Sequence, residues 1–169
     1  MRKAFRALAL GSLAGALVFL FVPSVHASGH ETTQTVRVYH EAVQPTATSG
    51  SGIGAVRTFF IPMAVDGVPA DGQYLAGTLT TLVDRLPNGQ QLRASNLVFV
   101  FGAEADQLVV GGVSQYPAAG ATLAPGQKTT RPVLGGSGKY ANASGDVVST
   151  NLGADGWTHV FRLTMPKVS

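Results

Sequence analysis

The residues best suited to acid–base chemistry are adjacent, because His40 and Glu41 lie near the end of the predicted strand Thr35–Ala42. A carboxylate whose pKa is raised by burial can act as a general acid or base, and histidine changes charge near neutral pH. Successive side chains of a strand point to opposite faces, so at most one of the two can face a cavity. Val36 and Val38 share the face of His40, which favours His40 as the inward residue. Glu41 is alternatively a solvated carboxylate at the strand end.

Other side chains have the chemistry to hold a substrate oxygen. The guanidinium groups of Arg93 and Arg131 can stabilise a developing oxyanion, although arginines on strands more often face water. Tyr39 can donate a hydrogen bond to a ligand oxygen or pack at the rim of a barrel. His159 is either a core histidine or a residue that lines a cavity. The candidate substrate-binding residues are therefore Tyr39, Arg93, Arg131 and His159.

Several reaction classes lack the residues that they need. The chain has no cysteine, which removes thiol nucleophiles and cysteine-based metal sites. It has no Gly-x-Ser-x-Gly element of an α/β-hydrolase. His30, His40 and His159 do not have the spacing of metal ligands. The sequence therefore predicts neither a metal site nor a cofactor.

β-Structure must position these residues, because past residue 27 no segment has helical periodicity. Gly and Pro interrupt the chain every few residues, and the stretches between them alternate with period two. Asp-Gly, Asn-Gly and Pro-Gly pairs mark the turns. Eight short strands at near-regular spacing predict a sandwich or a closed barrel, and Ala47–Gly54 is predicted to be a flexible loop that can border a ligand entrance. The eight predicted strands are Thr35–Ala42, Arg57–Met63, Tyr74–Val83, Leu92–Phe101, Asp106–Gln115, Thr129–Leu134, Gly145–Thr150 and Trp157–Thr164.

The first 27 residues have the pattern of a secretory signal peptide. Three basic residues precede the uncharged run Ala7–Val22, and Val25 and Ala27 are the small residues expected before a cut at Ser28. A membrane anchor is the alternative, but the run is short for a span of about 20 apolar residues. We therefore expect residues 28–169 to form a single secreted or periplasmic domain, with no membrane contact after cleavage.

The net charge of +3 belongs to this leader. The whole chain has 12 Lys+Arg and 9 Asp+Glu, and three of the basic residues lie within the first six. The expected mature chain therefore has 9 residues of each sign and no basic cluster. This composition argues against a nucleic-acid partner, which requires clustered Lys and Arg.

The densest local signal is the segment Gly135–Gly145, which reads Gly-Gly-Ser-Gly-Lys-Tyr-Ala-Asn-Ala-Ser-Gly. A dinucleotide loop would need a following helix, whereas a strand is predicted here. The segment resembles the G-G-T-G-[KR]-[FY]-x-x-A-x-G element of the allene oxide cyclase-like and dirigent protein superfamily. Val38–Glu41 resembles the first-strand pattern of dirigents, and Leu97–Phe101 with Leu108–Gly111 resembles their paired central strands.

The resemblance implies an all-β fold, an eight-stranded antiparallel β-barrel with an apolar central cavity, often in a homotrimer. Members isomerise or cyclise a hydrophobic substrate, or steer the coupling of a reactive intermediate. The resemblance also implies that Glu41, or His40 if the alignment shifts by one residue, is the counterpart of the first-strand acid. Two arginines of plant dirigents have no counterpart in Tyr74–Gly77 or Gly111–Gly112.

Two functions follow as competing hypotheses. The first is a cofactor-free cyclase or isomerase, or a dirigent-like steering protein, for a hydrophobic metabolite that carries oxygen. The second is a non-catalytic binder of an apolar small molecule. A structural oligomer is a third class, because several strands are apolar on both faces. An enzyme predicts an ionisable residue buried in the cavity, a binder predicts a purely apolar cavity, and a cavity filled by side chains would favour assembly.

Overall fold

The computed structural model describes residues 31–42, 44–117 and 122–166. The predicted signal peptide, residues 1–27, lies outside these ranges. The described residues form nine strands and two short 3₁₀ turns, Gly138–Tyr140 and Gly153–Asp155. The strands are β1 (Glu31–His40), β2 (Ala47–Ser49), β3 (Val56–Val65), β4 (Val68–Val83), β5 (Gln91–Phe101), β6 (Ala103–Tyr116), β7 (Lys128–Ser137), β8 (Ser144–Asn151) and β9 (Trp157–Pro166).

Eight of these strands form a closed antiparallel barrel, which confirms the predicted fold. Neighbours in the chain pair from β3 to β9, β1 pairs with β9 along its whole length, and β1 closes the barrel against β3. The closing seam is short and joins Val38 to Val65 and Tyr39 to Ala64. The ninth strand, β2, pairs with the start of β3. The start of the predicted loop Ala47–Gly54 is thus a paired strand, because the short seam leaves that edge of β3 open to a partner.

The two ends of the barrel interior differ in polarity. At one end, inward side chains of β1 and β9 such as Val36, Phe161 and Leu163 are fully buried in the main apolar cluster. Phe99 packs edge-to-face on Phe161 with the ring centroids 4.9 Å apart. Farther along β1 and β9 the inward positions are polar. For example, the last residue of β1 is the buried His40. The apolar end therefore forms the hydrophobic core, whereas the polar end contains the buried ionisable side chains.

The Gly-rich segment is a crowded connection between β7 and β8. A Cβ atom at Gly136 would lie 2.6 Å from the carbonyl oxygen of Tyr140. Gly138 has a φ of +58°, and a side chain there would collide with Asp106. The backbone N–H of Lys139 donates to this carboxylate at 2.9 Å. A three-residue turn and then β8 follow, where a dinucleotide site would need a helix. Close backbone approach therefore explains these glycines.

The outer face of the barrel carries exposed apolar side chains, as the strands predicted to be apolar on both faces require. Phe60 is 59% exposed and Leu134 is 64% exposed, and Val113 is also exposed. Within the described ranges, no helix has the length and apolar character needed to span a membrane. The two-sided apolar pattern therefore reflects the inner core together with this apolar outer surface.

Candidate functional site

A cavity of about 100 Å³ lies at the polar end of the barrel interior. One part of its wall is apolar, and the other part presents hydroxyl, imidazole and guanidinium groups. The apolar lining residues are Phe59, Ile61, Leu75, Leu79, Leu97 and Trp157. The polar lining residues are His40, Tyr116, Thr122, Arg131, Ser149 and His159. The cavity thus combines an apolar surface with ionisable groups, the combination expected of a site that binds and polarises an apolar molecule.

The protonation state of His40 is set by a backbone carbonyl. Its Nδ1 lies 2.8 Å from the carbonyl oxygen of Glu41. A carbonyl only accepts hydrogen bonds, so Nδ1 carries the proton. Burial lowers the pKa of His40 below its ordinary value, although the hydrogen bond to Glu41 acts in the opposite direction. His40 is therefore neutral near pH 7, and its Nε2 has a free lone pair that can accept a proton.

His159 lies beside His40 on the neighbouring strand, and the two rings stack with their centroids 5.1 Å apart. Its Nδ1 lies 2.8 Å from the hydroxyl of Ser149. Its Nε2 is buried and has no hydrogen-bond partner among the described residues. Burial lowers the pKa of His159 well below the ordinary value, and electrostatic repulsion from Arg131, and from His40 when it is protonated, lowers it further. His159 thus brings an unpaired polar atom to the cavity, and leaving such an atom unpaired is costly.

Arg131 is a buried cation whose partners are all neutral hydroxyls. It donates from Nε to Ser95 at 2.8 Å, from one terminal nitrogen to Thr129 at 2.5 Å, and from the other to the hydroxyl of Tyr116 at 2.6 Å. Within the part of the chain that the structure describes, no carboxylate lies within ion-pairing distance of it. The ladder between β6 and β7 stops at Val110–Val133, and beyond that point the Arg131–Tyr116 bond connects the two strands. Arg131 is therefore held rigidly while its charge remains uncompensated.

A wider mouth of about 460 Å³ adjoins the cavity and shares lining residues with it, including Tyr116 and Trp157. Arg93 lines this mouth, and its guanidinium lies 4.5 Å from the centre of the Tyr116 ring. Arg93 also donates twice to the side-chain oxygen of Gln91, at 3.1 and 2.7 Å. Burial lowers the pKa of Arg93, and the charge of the half-buried Arg57 acts in the same direction. The mouth alone falls within the ~300–1,000 Å³ typical of small-molecule sites.

The structure separates the six candidate residues into two groups. His40, Arg131 and His159 line the cavity, and Arg93 lines its mouth. Tyr39 and Glu41 are exposed and do not line the cavity; they border a second groove near the seam between β1 and β3, which shares His40 and Ile61 with the cavity. The alternation of β1 explains this division, because it turns His40 inward and its neighbour Tyr39 outward. The two inward histidines are adjacent, whereas Glu41 lies beyond the end of β1 and outside the cavity.

Sequence reasoning missed the neutral partners of the site. Ser149, Ser95 and Gln91 were not singled out, although they hold His159, Arg131 and Arg93. A signal was present, because Gln91, Arg93 and Ser95 alternate on β5 ahead of the apolar Leu97, Phe99 and Phe101. Polar residues at inward positions of a strand indicate a polar interior at that level of the barrel.

The arrangement places a neutral imidazole base, a second histidine and a fixed cation around one partly apolar space. No cluster of potential metal ligands occurs among the described residues. A bound molecule would meet a proton acceptor at His40 and a stabilising positive charge at Arg131. These are the groups required to move a proton on a molecule that carries a carbonyl or hydroxyl oxygen.

Comparisons with known proteins support the fold. No family model and no curated protein matches the chain. Among solved structures, a pyocyanin demethylase is similar with a TM-score of 0.54 and 19% identity, over 78% of this chain and 99% of that one. A pterocarpan synthase dirigent protein is similar with a TM-score of 0.57 and 10% identity, over 95% of this chain and 98% of that one. The chain therefore has a β-barrel fold similar to that of a dirigent protein.

Proposed function

We propose that this protein is a cofactor-free isomerase or cyclase that moves a proton on an apolar, oxygen-bearing small molecule inside the barrel. The observation that carries the proposal is the state of His40. The Glu41 carbonyl holds the proton on Nδ1, so a neutral base faces a cavity that also contains Arg131. The ionisable lining favours catalysis over passive binding, which would need only an apolar cavity.

The proposed step conserves electrons and needs no cofactor. The lone pair of His40 Nε2 removes a proton from a carbon next to a carbonyl group. The electrons of the broken C–H bond move onto the carbonyl oxygen, and the positive charge of Arg131 stabilises the resulting enolate. Where a C=C bond adjoins the enolate, His40 returns the proton to the far carbon of the resulting dienolate and gives an isomer. Where the enolate carbon instead attacks an internal carbonyl group, a ring closes and His40 returns the proton to the alkoxide that forms. The cavity would hold the substrate in the reactive conformation.

The structural neighbours support a small-molecule role without fixing it. One is named for demethylation of pyocyanin, and the other is named a pterocarpan synthase dirigent protein. Both have the same barrel at low sequence identity, so they support the choice of an interior ligand over a polymer partner. A steering role without acid–base chemistry would use the same cavity but would not need the base at His40.

We also propose that the protein is secreted and assembles into a homotrimer. The leader pattern of residues 1–27 supports secretion with a mature chain that begins at Ser28. The exposed Phe60, Val113 and Leu134 on the outer wall support assembly into a homotrimer. Neither feature alters the interior site.

Solvent exchange of β-tetralone in D₂O tests the proposed proton transfer. This apolar ketone exchanges the hydrogens next to its carbonyl only when a base removes them, and NMR follows the loss of their signals. We expect the protein to accelerate exchange over an equal concentration of free imidazole. The substitution His40→Asn keeps a donor for the Glu41 carbonyl but removes the base, and should reduce the acceleration by about 100-fold or more.

The neighbouring acid provides the matched comparison. Glu41→Gln should leave the exchange rate unchanged, because the Glu41 side chain is exposed and lies outside the cavity. An unchanged rate in His40→Asn would refute the proposal. Binding of β-tetralone without any enhanced exchange would instead support the non-catalytic binder.

A further inference from the structure

We infer that the ligand of this cavity is an organic anion, an apolar molecule with one carboxylate or phenolate group that binds to Arg131. The inference deepens the proposed function by naming the charge of the substrate, and it rests on that function only for placing the ligand in the cavity. It also applies if the protein binds its ligand without converting it.

The first argument is the unmatched charge of Arg131. A guanidinium has five N–H donors in a planar fork, and three of them are used by Ser95, Thr129 and Tyr116. Two donors therefore remain, one on each terminal nitrogen. Arg131 is only 3% exposed, and a buried charge without a counter-charge is strongly unfavourable. An anionic oxygen in the adjoining cavity would supply the missing partner with a charge-assisted hydrogen bond.

The second argument is the sign of the charges around the path to the cavity. Arg57 and Arg93 line the mouth, and Arg131 lines the interior. Among the described residues that line these two spaces, none is Asp or Glu. Asp84 lies near the mouth but accepts a hydrogen bond from Gln91 at 2.6 Å and is not a lining residue. A path lined by one sign of charge attracts molecules of the other sign.

The third argument limits the ligand to one anionic group on an apolar body. Half of the residues that line the cavity are apolar, among them Ile61, Leu75 and Leu97. The remaining polar contacts are neutral, because His40 and His159 both have a lowered pKa. Inside the cavity, a second anionic group would therefore be buried without a cationic partner. The unpaired Nε2 of His159 suits a neutral polar group elsewhere on the same ligand.

Two probes of nearly equal shape test this inference. β-Naphthoate carries a carboxylate, and β-naphthamide replaces it with a neutral amide of the same planar geometry. We expect calorimetric titration of the wild-type protein to give an affinity for β-naphthoate at least about tenfold higher than for β-naphthamide. Equal affinities, a preference for the amide, or binding of neither probe would overturn the inference.

Substitutions then assign the preference to Arg131. Arg131→Gln should bring the two affinities to within about twofold, and Arg131→Lys should keep a preference because it keeps the charge. Arg162→Gln is the matched control, since Arg162 lies on the outer surface, and it should behave as the wild type. If Arg131→Gln does not fold, the wild-type comparison and Arg131→Lys still decide, and loss of all preference in Arg131→Lys would count against the inference.

The exchange assay distinguishes failure of this inference from failure of the proposed function. Equal affinity for the two probes, together with β-tetralone exchange that depends on His40, would refute the anionic ligand and support the catalytic function. A preference for β-naphthoate without any accelerated exchange would refute the catalytic function and support a protein that binds an organic anion without converting it.

Discussion

The chemistry of individual side chains in the cavity depends on the neutral groups that hold them. Ser95, Thr129 and Tyr116 fix the guanidinium of Arg131, and the Glu41 carbonyl fixes the tautomer of His40. None of these partners supplies a negative charge. The charge of Arg131 and the base at His40 therefore remain available to a ligand.

Removal of a single hydroxyl tests this view of Arg131. Tyr116→Phe deletes the acceptor of a 2.6 Å hydrogen bond from the buried guanidinium, and should lower the free energy of unfolding by about 1.5–3 kcal/mol. Tyr74→Phe removes a hydroxyl from a half-buried tyrosine on β4 and should change it by less than about 0.5 kcal/mol. Urea denaturation measures both values. A loss of unfolding free energy in Tyr116→Phe that is no larger than the loss in Tyr74→Phe would contradict a stabilising role of the Tyr116 bond.

At the scale of the strands, β1 matters most because it carries His40 at its end and closes the barrel by a short seam. Gly156 precedes β9 and lies directly against this end of β1. It has a φ of +92°, and a Cβ atom there would lie 2.1 Å from the carbonyl oxygen of His40. The position of the base therefore depends on the absence of a side chain at residue 156.

Gly156→Ala should for this reason disturb both stability and activity. We expect the free energy of unfolding to fall by about 3 kcal/mol or more and the exchange activity of His40 to decrease. Gly89→Ala is the matched control, because Gly89 also has a positive φ of +81° but a Cβ atom would meet nothing within 4 Å. It should cost only about 1 kcal/mol. Thermal or urea unfolding of the two variants, with the exchange assay, measures the difference; a similar loss in both would contradict the role of the contact with β1.

The strands were predictable from sequence because their signals are local. Alternating polarity and turn pairs such as Asp66-Gly67 lie within a few residues, and they sufficed for all eight barrel strands. The three-residue β2 was missed because it exists only where a neighbouring strand leaves an open edge. The contact between Arg131 and Tyr116 could not be predicted from the sequence either, because it depends on the point at which β6 and β7 stop pairing, Val110–Val133. Long-range register, which brings residues from all eight barrel strands to one cavity, has no local signature.

At the scale of the whole molecule, the barrel separates an apolar core end from a polar end that holds the cavity. Closure of the sheet removes water from the histidines, and this burial is the main cause of their lowered pKa values. The expected mature chain has balanced charge, so the positive charge along the cavity and its mouth is a local feature of the site. The fold thus creates a base and a fixed cation in a chain with few charged residues.

The state of His40 is the central claim, and an NMR titration of its ring nitrogens tests it most directly. Nitrogen-15 shifts distinguish a protonated from an unprotonated ring nitrogen, and His40→Asn assigns the signals. We predict a neutral ring at pH 7 with the proton on Nδ1 and a bare Nε2. Because the pKa is lowered, the neutral form should persist as the pH falls, and the ring should become charged only below its ordinary value of 6.5. A proton on Nε2 at pH 7, or a titration midpoint at or above 6.5, would contradict the account.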